Sequence, residues 1–229
     1  MKKILIIKHG SLGDIISATS VFKDIRDHYK NDQIFILTTN RYESFFLKTP
    51  FINKVIIDNR SGFVESIFLL KKIIKSKFDI IIDLQNSRRT LVYEFFFRLF
   101  TSVKINGTGV FSTQRYINDF SNLPSVIDGL SNQIEKMNIK TRRKPYLDWL
   151  MDDIFDWKII NNYRFFIVNP GCSPKNFQKK WSEDKYADIC NFLISKNILP
   201  ILIGSPDDEK SINKIAMESN GSLNLCNIS

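Results

Sequence analysis

Four short stretches of this chain carry side chains whose types and spacing suit chemistry on a phosphorylated ligand. The first is Gly10-Ser-Leu-Gly13-Asp14, which breaks an apolar run over 4–7 and leads into a helical pattern over 15–29. A buried strand, a glycine turn and a helix N-terminus together aim backbone N–H groups and the positive end of a helix dipole at an anion. Asp14 in that turn serves either as an ordinary helix N-terminal residue or, beside a phosphate-bearing substrate, as a base. The second stretch is Lys179-Lys180-Trp181, which closes a loop begun by Asn169-Pro-Gly171. An ammonium group there can neutralise a departing diphosphate; the alternative is a solvated basic loop. The third, Asp83-Leu-Gln85-Asn-Ser-Arg88-Arg89, follows the run Ile80-Ile-Ile82. Its arginines can fork onto phosphate or carboxylate, or form a surface pair at a helix start. The fourth, Gly204-Ser-Pro-Asp207-Asp208-Glu209, offers carboxylates to a ribose diol, or simply acidity to a helix N-terminus.

Elements must hold these residues, and the sequence supplies an alternation. Apolar strands are read over 4–7, 33–38, 55–57, 80–84 and 103–105, with helices over 15–29, 41–47, 63–76 and 90–100. A helix over 126–138 precedes the charged, proline-terminated break Thr141-Arg-Arg-Lys-Pro145. Strands then return over 164–168, 200–203 and 223–226, with helices over 184–196 and 209–219. This spacing predicts βαβ units and doubly wound parallel sheets of the α/β class. The division expected is a first domain over 1–140, a connection over 141–162 and a partial second domain over 163–229. A sheet of three strands is marginal alone, so the second domain is expected to lean on the first or to lack its C-terminal end.

Composition narrows the partners. The 229 residues carry a formal net charge of +9, which admits nucleic acid, an anionic membrane surface or acidic small substrates. The charge is dispersed and no nucleic-acid-binding motif spacing is present, so nucleic acid is not expected as a partner. Three widely spaced cysteines and two histidines supply neither a disulfide framework nor a metal site, which points to a reducing, cytoplasmic setting. Cys172 lacks the histidine pattern of a nucleophile. No signal-peptide core is seen, and no apolar run approaches the ~18 residues of a membrane span. The helices over 64–77 and 93–104 either lie on an anionic membrane or are core helices with a lysine-rich outer face, the second reading being preferred.

Taken in order, the stretches resemble the glycosyltransferase family 9 heptosyltransferases of lipopolysaccharide synthesis. The opening through Lys8, Ser11, Gly13 and Asp14 is similar to that family's start. Phe78-Asp-Ile-Ile-Ile-Asp83-Leu-Gln85 is similar to its Tyr-Asp-hydrophobic-Asp-Leu-Gln-Gly segment. Asn169-Pro-Gly171 through Trp181 resembles its His/Asn-Pro-Gly loop, and Gly204-Ser-Pro-x-Asp208 its Gly-x-Pro-x-Glu turn. The resemblance implies a GT-B fold of two Rossmann-like domains, the second incomplete here. It implies inverting, metal-independent transfer of a heptose from ADP-heptose to a lipopolysaccharide-core acceptor, with no cofactor beyond the donor. The acceptor would be an anionic glycolipid at the cytosolic face of the inner membrane, with peripheral contact of the protein there. Carried over residue by residue, Asp14 is the general base and Lys179 steadies the leaving diphosphate. Ser11, Gly13, Gly171, Ser173, Lys180 and Asp208 fall on the donor side, and Gln85 and Arg89 on the acceptor side.

The chain departs from the family in three places. Asn86 stands where a glycine is usual, the loop before Lys179 is longer, and the Asp-Ser/Thr-Gly-x-x-His donor motif is absent. The last departure is read as a missing C-terminal end and leaves a truncated, non-catalytic GT-B homologue as the alternative. A plain Rossmann NAD(P) oxidoreductase fits less well. Residues 10–14 lack Gly-x-Gly-x-x-Gly spacing, and no acidic residue stands at Thr38-Thr39.

Overall fold

Isoleucine-rich runs pair side by side to form the frame of the first unit. A computed structural model describes residues 1–119, 121–150, 160, 162–172 and 178–226. They fall into two units, Met1–Met151 and Asp152–Ser229. In the first, β1 (Lys3–Ile7), β2 (Gln33–Thr38), β3 (Lys54–Ile57), β4 (Ile80–Asp83), β5 (Lys104–Gly107) and β6 (Gln114–Arg115) form a parallel sheet in the order β3-β2-β1-β4-β5-β6. This is the doubly wound order, and its direction reverses between β1 and β4. Ligands of such sheets bind at the carboxyl ends of the strands beside that reversal.

The strands are apolar on both faces because both faces are covered. Side chains alternate with period two: Ile4, Ile6, Ile34, Ile36, Ile80 and Ile82 enter one core, and Leu5, Ile7, Leu37, Ile81 and Ile105 the other. The first core is closed by α1 (Leu12–His28), α2 (Glu43–Lys48) and α5 (Val126–Glu135), through Ile15, Val21, Phe22, Phe46 and Ile134. The second is closed by α3 (Phe63–Lys75) and α4 (Arg88–Phe100), through Leu70, Ile73, Tyr93 and Phe97.

Residues 141–150, read from their charge and proline as the start of a connection, pack on α1. Arg142 donates to the buried Asp24 from its backbone at 3.1 Å and from Nη1 at 2.6 Å, and also pairs with Asp27. Tyr146 N–H donates to Thr19 Oγ1 at 3.0 Å, and the Trp149 ring sits 5.1 Å from Phe45. Most of the remaining expected connection, 151–159, lies outside the described residues.

In the second unit, β7 (Arg164–Val168), α6 (Glu183–Ser195), β8 (Ile198–Leu202), α7 (Glu209–Glu218) and β9 (Leu223–Asn224) alternate, and the strands pair in parallel as β7-β8-β9. One small core joins Val168, Ala187, Cys190, Leu193, Leu202, Ile212 and Ile215. Among the described residues β7 pairs only with β8. Phe165, Phe166 and Ile167 stay 44%, 56% and 52% exposed, as expected of an α/β layer that is incomplete.

Candidate functional site

The first unit gathers its candidates at the β1/β4 reversal. After β1, buried Lys8 donates from Nζ to the Leu84 carbonyl at 3.0 Å, tying the two strand ends together. Burial pulls the Lys8 pKa down, against the attraction of Asp14 and Asp83. His9 follows, and its backbone N–H donates to Gln85 Oε1 at 3.0 Å. Gly10 then turns the chain with φ +104°, and a Cβ there would run into the Tyr42 ring. Ser11 caps α1. Its N–H and its Oγ both reach Asp14 Oδ2 at 3.1 Å, so Asp14 sits in a capping box. Gly13 faces open space: no atom lies within 4 Å of the point a Cβ would occupy. The N-terminus of α1 is therefore presented to solvent at the sheet end where ligands bind.

Asp83 ends β4 and is fully buried. Its Oδ1 accepts the N–H groups of Gln85 at 2.9 Å and Asn86 at 3.0 Å, which folds the loop back on the strand. Asn86 has φ +49°, the left-handed region open to glycine and asparagine. Its side chain holds the loop on both sides, donating to Gln133 Oε1 at 2.7 Å and accepting Thr108 N–H at 2.9 Å. Where the resembling family has glycine, the backbone shape explains why asparagine also serves.

Arg89 is engaged inside the unit. Its Nε and Nη2 grip Asp58 at 3.0 and 2.8 Å, and Nη2 also reaches Ser66 Oγ at 3.0 Å. Tyr93 Oη donates to Asp58 at 2.8 Å, and His9 Nε2 lies 3.5 Å away. These bonds hold the Asp58 carboxyl below its usual range against the opposing pull of burial. Burial pushes the His9 pKa down to about 4, so its imidazole is neutral near pH 7.

Beside Asp83, buried Glu94 accepts Ser112 Oγ–H at 3.0 Å. Burial, and then the neighbouring Asp83, push its pKa up to about 7. The motifs did not single out His9, Asp58, Tyr93 or Glu94. One signal was available: Val55-Ile-Ile-Asp58 repeats the strand-end pattern of Ile80-Ile-Ile-Asp83.

In the second unit, Asn169 Oδ1 accepts Gly171 N–H at 3.0 Å and closes the turn after β7. The Gly171 backbone lies against the Asp208 carboxylate; an added Cβ would come 2.6 Å from Asp208 Cγ. Asp208 Oδ2 in turn accepts Ser205 N–H at 3.2 Å and Oγ–H at 2.7 Å, the same box as at Asp14. Lys180 donates to Ser211 Oγ at 2.8 Å, and Ser211 donates to Glu183. Lys179 is exposed and unpartnered among the described residues, while Ser173 lies outside them. Gly171 and Asp208 are thus brought together, Lys180 is tied to α7, and Lys179 is left available to a ligand. No cluster of three or more His, Cys, Asp or Glu able to hold a metal occurs among the described residues.

No family model matches the sequence. The lipopolysaccharide core heptosyltransferase OpsX of Haemophilus influenzae is 23% identical over 213 residues, which cover 90% of this chain and 60% of that protein. The glycosyl transferase family 9 structure from Veillonella parvula matches with a TM-score of 0.75 at 16% identity, over 98% of this chain and 69% of that one. The E. coli ADP-heptose LPS heptosyltransferase II matches with a TM-score of 0.69 at 18% identity, over 99% and 73%. The fold is GT-B, and the sequence is similar to that of a lipopolysaccharide core heptosyltransferase. The chain spans 60% of the length of the curated relative it matches. Its sheet reversal, capped α1 and Gly171–Asp208 contact are the parts of the GT-B frame that position the candidates.

Proposed function

We propose that this chain belongs to an inverting, metal-independent glycosyltransferase that moves a heptose or related sugar. The donor is a nucleotide-diphosphate sugar such as ADP-heptose, and the acceptor is an anionic glycan of the lipopolysaccharide-core type. The observation that carries this reading is the α1 N-terminus at the β1/β4 reversal, with Asp14 held in place by Ser11 and open space at Gly13. Both described bonds to Asp14 fall on Oδ2, which leaves Oδ1 for an acceptor hydroxyl.

In this mechanism Asp14 takes the hydroxyl proton as the acceptor oxygen attacks the anomeric carbon. The bond from that carbon to the donor's diphosphate oxygen breaks on the opposite side, which inverts the centre. The departing diphosphate carries away the electron pair, and Lys179 neutralises its charge. The reaction needs no cofactor beyond the donor. Ser11, Gly13, Gly171, Ser173 and Lys180 serve the donor, with Asp208 toward its ribose. Gln85 and Arg89 serve the acceptor with the groups the fold leaves unused, the Gln85 amide NH2 and Arg89 Nη1. The work is cytoplasmic, with peripheral contact at the cytosolic face of the inner membrane; no described helix is long and apolar enough to cross a membrane.

The test is transfer from ADP-heptose to a heptose-free lipopolysaccharide core, followed by mass spectrometry of the product. Asp14→Asn keeps an oxygen for the Ser11 cap but removes the base. We expect it to fold normally and to lose about 10²–10⁴-fold in rate. An Asp14→Asn protein as active as the wild type would remove Asp14 from the chemistry. Donor binding by the wild type without any transfer would assign the alternative, a non-catalytic GT-B homologue.

A further inference from the structure

Helices α3 and α4 lie side by side on one face of the first unit, and each carries two different faces. Their inner faces are accounted for by Leu70, Ile73, Tyr93 and Phe97. Their outer faces are not an ordinary solvated surface. On α3 the outward stripe, at helical spacing, is Val64, Phe68, Lys71 and Lys75; on α4 it is Arg88, Val92, Phe95 and Leu99. Lysine is thus the outward residue over the second half of α3, while the outward stripe of α4 is apolar beyond Arg88 and is flanked by the exposed Arg98. Exposure of the large apolar residues runs from 42% at Phe95 to 65% at Phe68 and 78% at Phe63. Single exposed apolar residues need no explanation, but apolar outward stripes on two neighbouring helices do.

Two further observations give the patch a direction. A groove of about 760 Å³ opens between the C-terminal ends of the two helices, floored by Ile73, Phe78, Phe97 and Val103. Lysines stand at its rim, Lys75, Lys77 and Lys104. With Lys71, Lys72 and Arg98 they make six exposed cations, none of which has an ion-pair partner among the described residues. The acidic residues nearby are Glu65 and Asp79, and Asp79 already accepts the Lys3 N–H at 2.7 Å.

We propose that the α3–α4 face is a docking surface for an anionic lipid bilayer. Phe63, Phe68, Leu99 and Phe100 enter the acyl boundary, and the six cations lie at the level of the lipid phosphates. Apolar side chains ringed by unpaired cations are the pattern that partitions to such an interface. A protein partner of matching area would meet the same patch with acidic groups at its rim, and the experiment separates the two. The inference deepens the peripheral membrane contact of the proposed function, yet vesicle binding requires neither donor nor catalysis.

The test is flotation of the purified chain with vesicles of phosphatidylglycerol and phosphatidylcholine, against vesicles of phosphatidylcholine alone. The chain should float with the anionic vesicles, with roughly tenfold or greater preference, and be released by high salt. The double variants Phe68→Ser/Leu99→Ser and Lys71→Glu/Lys75→Glu should each lose roughly tenfold or more of that binding. Both sets of positions are exposed, so circular dichroism and melting temperature should match the wild type. Absence of flotation, equal flotation with both vesicle types, or binding indifferent to both variants would each overturn the proposal. A wild-type dimer that the Phe68→Ser/Leu99→Ser variant turns into a monomer, with no flotation, would assign the patch to a protein interface instead.

Discussion

Asp58 takes four donors: Arg89 Nε and Nη2, Tyr93 Oη and the Arg60 backbone. Removing it leaves Tyr93 without its acceptor and Arg89, among the described residues, with Ser66 Oγ alone. Asp58→Ala should cost about 2–4 kcal/mol in urea unfolding, less than a fully buried pair because the Arg89 side chain is 32% exposed. Glu94 gives a pH prediction. Its pKa rises from an ordinary 4.5 to about 7 in the fold, so the folded state holds the proton more tightly than the unfolded chain. Its favourable contribution is full below pH 4.5, declines as pH rises through that interval, and is lost above about 7. Across that window wild type should lose up to about 3 kcal/mol relative to Glu94→Gln. His9 acts oppositely, losing stability as pH falls from 6.5 toward 4, so the difference between wild type and Glu94→Gln is the quantity to measure. A melting-temperature difference flat in pH would show that Glu94 does not titrate there. At this scale the sequence marks a residue as a candidate where a motif surrounds it, as at Asp14, Gln85 and Asp208. Glu94 was hidden because only the packing of α4 against β4 and β5 decides that a glutamate beside Phe95-Phe-Phe97 is buried.

One local device recurs along the chain. Ser-x-x-Asp stands at 11–14, 125–128 and 205–208, and in each case the serine and aspartate bond to each other at a helix start. The ordinary reading of Asp14 and Asp208 as helix-start residues is therefore realised, and any chemistry at Asp14 is added to a capping role. Ser205→Ala should cost about 1 kcal/mol. Gly171→Ala should go further, because its methyl meets the Asp208 carboxylate rather than solvent. It should weaken ADP binding while leaving the first unit's unfolding unchanged; unaltered binding would take the Gly171–Asp208 contact out of the donor site. Element boundaries were legible wherever apolar periodicity was strong, as in β2 and β7. β6 was not, because Gln114–Arg115 has no apolar pattern; Asn106, whose Nδ2 donates to the Gln114 carbonyl at 3.1 Å, helps hold it. Residues 141–150, expected within the connection, fall in the first unit, and Arg142 looks solvated in the sequence until Asp24 and Asp27 are seen to receive it.

For the whole molecule, the alternation of strands and helices made the α/β class and the two-unit plan legible, and the ordered motifs pointed to GT-B. The apolar outer stripe of α4 was not legible, because the same phenylalanines read equally well as core. The net charge of +9 fits both an anionic acceptor and an anionic surface, and binding to each should weaken with salt. A nucleotide-sugar site built around Lys179 is the central claim. Calorimetric titration of the 229-residue chain with ADP, beside its Lys179→Ala variant, tests it most directly. Saturable binding is expected, weakened roughly tenfold or more by the substitution, with melting temperature unchanged. A folded chain that does not bind ADP, or binds it equally well without the Lys179 ammonium, would contradict that claim.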